Sequence, residues 1–67
     1  MVDPDRLHKG AVVIIAAFDE VPAHQFVIHT VELDCITGIA LTGPLAGAYG
    51  EPAIEMILGF HKDGLGS

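Results

Sequence analysis

The chain has 67 residues and a net charge of -6, from nine carboxylate side chains against three basic ones. That length allows one domain at most. Arg6, Lys9 and Lys62 lie near the ends, so no basic stripe exists to displace counterions from nucleic acid or to hold an anionic membrane surface.

Cys35 is the only cysteine, which excludes a disulfide within the chain and points to a reducing, cytoplasmic compartment. Hydrophobic residues make up 51% of the chain, and the mean hydropathy is +0.52. A chain this short buries only about 60% of its unfolded surface. The apolar surplus is therefore expected to face a second copy, giving a homo-oligomer, or another protein partner. No stretch reads as a membrane span. The Ala11–Phe18 run is eight residues long, and the charge-free run 35–50 is broken by Pro44 and four glycines, whereas a span needs about 20 predominantly apolar residues.

Residues 1–9 read as a polar lead-in, in which Asp3 and Pro4 are suited to open a short helical turn. One barrel domain is expected over residues 10–61, followed by a flexible tail over 62–67. Ala11–Phe18 is short, β-branched and bounded by turn residues, which argues for a strand covered on both faces. Residues 19–24 form a loop interrupted by Pro22. Gln25–Glu32 is the second strand. Phe26, Ile28 and Thr30 share one face and Val27, His29 and Val31 the other. A tight turn at Leu33–Cys35 leads to a third strand over Ile36–Thr42, with Gly38 marking a bulge or bend.

The segment Thr42–Pro52 holds three glycines, two prolines and the only tyrosine. As turns, Pro44 fixes φ while Gly47 and Gly50 take positive φ. As a binding surface, Pro44, Leu45 and Tyr49 give a rigid apolar patch, and Glu51 with Asp19 and Glu20 selects a basic rim. The spacing of Gly43, Gly47 and Gly50 does not make a phosphate loop, because Pro44 lacks a donor and no lysine follows. Ala53–Phe60 reads as a strand by alternation, with a short helix opened by Pro52 as the alternative.

Four to five short strands with little helix imply an all-β fold, a small antiparallel barrel that hides its edges. The stretch Leu7–Ile14 (LHKGAVVI) resembles the opening of SH3-like small barrels. That resemblance implies a leucine packed under the barrel and a glycine turning into the first strand. It departs from the pattern at Ala11, where an aspartate is usual.

Catalytic chemistry finds little material, and no catalytic residue or cofactor is expected. The only serine is Ser67, and Cys35 sits beside Asp34 and Glu32, which oppose thiolate formation. Acidic pairs at turns are ordinarily solvated. No histidine pair has metalloprotease spacing and no C-x-x-C occurs. His24 and His29 remain the candidates for a metal site shared between subunits. The bland expectation is that His29 is a partly buried strand residue and the other histidines are solvated. The sequence thus favours a non-catalytic interaction or self-assembly module using residues 42–52 and exposed strand surface. An oligomeric metal-binding protein or enzyme with a His/Asp/Glu site between subunits is the alternative.

Overall fold

The computed structural model of the chain describes residues 4–61. These form five strands: β1 Val12–Ile15, β2 His24–Val31, β3 Ile36–Ala40, β4 Tyr49–Gly50 and β5 Ile57–Phe60. Two single 3-10 turns, Pro4–Arg6 and Ile54–Met56, are the only helical segments among them. All pairings are antiparallel, in the order β4-β3-β2-β1-β5. Four strands thus meander, and the fifth returns across a 3-10 turn to pair with the first. This is a small all-β fold built on one five-stranded antiparallel sheet.

Cross-strand partners share a face, and the register therefore divides the sheet into inward and outward rows. One inward row is Phe60, Val13, Phe26 and Ala40; the next is Ile57, Ile15 and His24. With Leu7, Ile28 and Ile36 they build the core. Outward, Val12, Val27, Ile39 and Tyr49 form a row across four strands, half-buried at β1 and exposed at β4. Leu7 is buried, as the barrel resemblance implies. Gly10 takes φ 91° and donates its N–H to the Ile28 carbonyl at 2.8 Å.

Several expectations need correction. β1 covers only Val12–Ile15, because Phe18 and Val21 instead close a two-residue turn at Asp19–Glu20 with reciprocal bonds of 3.0 and 2.7 Å. Regular pairing in β3 ends at Ala40, although the Leu41 N–H still bonds the Gln25 carbonyl. The register irregularity lies opposite Gly38, on β2, where His29 is the extra residue between Ile28 and Thr30. As that extra residue, His29 is exposed, not partly buried. His24 belongs to β2 and is buried, not solvated, because it continues the inward parity of Phe26 and Ile28. Of the loop glycines, Gly43 and Gly47 take positive φ, at 82° and 88°. Gly50 does not, since it is extended in β4 opposite Gly38. The segment 53–60 is a strand only from Ile57, and Ile54–Met56 makes a 3-10 turn first. No helix among the described residues is long and apolar enough to cross a membrane.

Candidate functional site

At one end the barrel is open. The β1–β2 connection, the β3–β4 loop and the Pro52–Met56 segment surround a cavity of about 390 Å³. Its floor is the core itself, through Ile15, Phe26 and Ala40, and its walls carry Phe18, Leu45 and Met56. Each wall is placed by local structure. Phe18 stands at the base of the Asp19–Glu20 turn, where Asp19 adopts φ 49°, a left-handed conformation that aspartate tolerates. Leu45 lies within the Pro44–Gly47 turn. That turn is pinned by the Gly47 N–H donating to the Ala40 carbonyl at 2.7 Å and the Ala48 N–H to the Leu45 carbonyl at 2.8 Å. Met56 is held where its carbonyl accepts the Ala16 N–H at 2.8 Å.

The buried polar residue lining this cavity is His24, only 5% exposed. Its Nδ1 lies 2.9 Å from the Pro22 carbonyl oxygen. A carbonyl only accepts, so Nδ1 carries a proton and donates it. The Phe18 ring, tilted at 57° with centroids 6.2 Å apart, packs beside the imidazole. Nδ1 and Nε2 diverge across the ring. With Nδ1 turned to the Pro22 backbone, no group among the described residues bonds Nε2, which is not sealed from solvent, and the residue itself lines the cavity. In the neutral ring Nε2 is an acceptor awaiting a donor.

Tyr49, Glu51 and Pro52 border the opening on the β4 side. The Tyr49 hydroxyl donates to Glu51 Oε2 at 2.8 Å. This bond holds the phenol pKa above the ordinary tyrosine value, since ionisation would lose the bond and set two anions together. Behind them, Cys35 is half-buried. Partial burial, then the Asp34, Glu51 and Glu32 carboxylates, raise its thiol pKa, which makes it a poor nucleophile. Thr30 and Thr37 bond hydroxyl to hydroxyl at 2.6 Å across β2 and β3.

Of the residues singled out in the sequence, Leu45, Tyr49 and Glu51 come together at the cavity, while Pro44 stands on the exposed turn and does not line it. His24 is in the cavity wall. His29 is exposed on the bulge, and among the described residues no group of three or more His, Cys, Asp or Glu could hold a metal ion. Sequence reasoning missed Phe18, Phe26 and Met56 as parts of one site, and it treated His24 as a loop residue. The signal for His24 was present: it shares parity with Phe26 and Ile28, so extending β2 by one residue turns it inward. What the site offers is an apolar slot with the His24 imidazole in its wall and the Glu51 carboxylate at its border. No family model, curated protein or solved structure matches this chain.

Proposed function

We propose that this protein is a non-catalytic interaction module whose barrel mouth receives an apolar side chain of another polypeptide, with residues 42–52 forming one wall. The observation that carries this reading is the open cavity floored by core residues. A domain of this size has little core to spare, and Ile15, Phe26 and Ala40 lie at the bottom of a space that no side chain among the described residues fills. Apolar pockets of about 300–1,000 Å³ are the usual size for a bound group, and interface energy concentrates where one anchor enters such a pocket. Next to the mouth, Tyr49 is 60% exposed and Ile39 37%. A polypeptide can cover this shelf while its anchor fills the slot.

Titration of isotope-labelled protein with N-acetyl-phenylalaninamide, followed by NMR, tests the reading. Saturable shifts are expected at the amides of Ala40, Ala48 and Gly50. Ala48→Leu, from an exposed position on the cavity wall, should block them without loss of fold. Shifts absent, or unchanged in Ala48→Leu, would refute it.

Self-association is a second reading, favoured by the outward row Val12, Val27, Ile39 and Tyr49 together with Leu41 and the 62%-exposed Leu58. Native mass spectrometry would show it as a multiple of 7.0 kDa.

A further inference from the structure

Resting on the interaction reading above, we infer that the occupant of the mouth is a basic polypeptide segment whose anchor is tyrosine or tryptophan, the anchor donating a hydrogen bond to His24 Nε2. Two independent features carry this. The first is His24. It is more than nine-tenths buried, its Nδ1 proton is committed to the Pro22 carbonyl, and Phe18 packs beside its ring. Entry of an aliphatic or phenyl group strips water from Nε2 and returns nothing, which costs the desolvation of a polar group. A phenol O–H or an indole N–H supplies an apolar body together with the missing donor. A carboxylate-bearing ligand is disfavoured, because it offers no donor and meets an acidic border.

That border is the second feature. The β1–β2 connection and the Pro52–Met56 segment carry exposed carboxylates, Glu51 stands between that segment and β4, and the β3–β4 loop carries none. Asp19 and Glu20 follow Phe18, Glu51 lies on the β4 side, and Glu55 precedes Met56. One Glu51 oxygen accepts the Tyr49 hydroxyl, and no cation among the described residues pairs with the other. None of these elements contains lysine or arginine. Arg6 is already occupied, its guanidinium 4.6 Å from the centroid of the Phe60 ring, and Lys9 adjoins Gly10, whose N–H is bound to Ile28. With three basic residues in all and a net charge of -6, a second copy is a poor complement to this rim. Lysine or arginine next to the anchor supplies what the copy lacks, and would speed encounter at low salt.

Three short capped peptides, read by NMR on the unmodified full chain, decide the matter: acetyl-Tyr-Lys-amide, acetyl-Phe-Lys-amide and acetyl-Tyr-Glu-amide. The Tyr-Lys peptide is expected to bind about two- to tenfold more tightly than Phe-Lys, the range of one net hydrogen bond, and to move the His24 Nε2 resonance. It should also bind more tightly than Tyr-Glu, with that preference reduced by added salt and by Glu51→Gln. Equal binding of Tyr-Lys and Phe-Lys, or no preference for lysine over glutamate, overturns this inference and leaves the interaction module standing. Absence of binding by all three and by N-acetyl-phenylalaninamide overturns both. Cavity shifts that depend on protein concentration without any peptide, accompanied by a doubled mass, identify a second copy as the occupant and also overturn it.

Discussion

Gly38→Ala and Gly59→Ala add the same methyl group to the same sheet, yet their surroundings give them opposite signs. At Gly38 a Cβ would overlap the Val27 carbonyl oxygen across the β2–β3 ladder and stand 2.8 Å from the Phe26 ring. The obstacle is mainly backbone, so β2 and β3 must separate or the buried Phe26 must leave its position. Overpacking costs typically 1–3 kcal/mol, and a clash with a ladder carbonyl puts Gly38→Ala near the top of that range, about 3 kcal/mol. At 0.05–0.15 kcal/mol per residue the whole domain is stable by only about 3–10 kcal/mol. At 4–8 °C per kcal/mol, a loss of this size lowers Tm by roughly 12–24 °C. Nothing lies within 4 Å of a Cβ at Gly59, and its φ is not in the left-handed region. There alanine mainly reduces the freedom of the unfolded chain, which stabilises by about 0.4–1 kcal/mol. Circular dichroism melts and urea titrations of the two variants and the parent check both signs. The account of Gly38 as a close-approach site is refuted if Gly38→Ala melts with the parent, or if the two variants shift in the same direction.

Two further predictions concern ionisable groups on the β4 side. Tyr49 is the only tyrosine and there is no tryptophan, so the phenolate absorbance reports this residue alone. Its midpoint should lie above that of a free tyrosine and fall toward it in Glu51→Gln, since the hydrogen bond to Glu51 is the leading cause of the shift. Because the folded-state value is raised above the unfolded one, any stability from this pair is present at neutral pH and is lost as pH rises through the folded-state value. Cys35 should react with iodoacetamide more slowly than a free cysteine peptide at mildly alkaline pH, where partial burial and the neighbouring carboxylates suppress the thiolate. Asp34→Asn and Glu51→Gln should each accelerate it. An unchanged rate in both would remove the carboxylates as a cause.

Legibility in the sequence followed the physics of each element. The β2 alternation was readable because one face of that strand must be buried. The β1 run was read from its β-branched residues as a strand covered on both faces, and its second face, Val12 and Ile14, is only half-buried. Leu7 and Gly10 were placed by the resemblance of Leu7–Ile14 to the opening of SH3-like small barrels, and the structure buries Leu7 and gives Gly10 a left-handed φ. Strand ends were harder. Pro22 suggested a break that kept His24 out of β2, although the proline lies two residues before pairing begins. The bulge at His29 was assigned to the wrong strand, because a glycine advertises it as strongly from the opposite strand as from its own. Leu45, Tyr49 and Glu51 were found from local chemistry. Phe18, Phe26 and Met56 were not joined to them, because only the return of the chain across Ile54–Met56 to β1 makes them neighbours. A cavity is a property of the assembled sheet and its connections, and no local stretch of sequence encodes it.

An open mouth in so small a domain ties occupancy to stability. A ligand that binds only the folded chain adds about 2.7 kcal/mol at a hundredfold excess over Kd, a sizeable part of the roughly 3–10 kcal/mol expected for the domain. That gain is not spread evenly. The walls of the mouth are turns and not paired strands, held by Ala16 N–H to Met56, Gly47 N–H to Ala40, Ala40 N–H to Ala48 and Ala48 N–H to Leu45. The opposite end is tied by Gly10 N–H to Ile28 and Ile28 N–H to Ala11, above the buried Leu7. Local opening at the mouth should therefore precede global unfolding in the empty protein. Hydrogen exchange should show the amides of Ala16, Gly47 and Ala48 exchanging faster than that of Ile28. Saturation with a mouth-filling peptide should slow the first three most, with Ile28 following only the global gain. If all four slow by one common factor, the mouth opens only when the whole domain unfolds, and filling it acts on the barrel as a single unit.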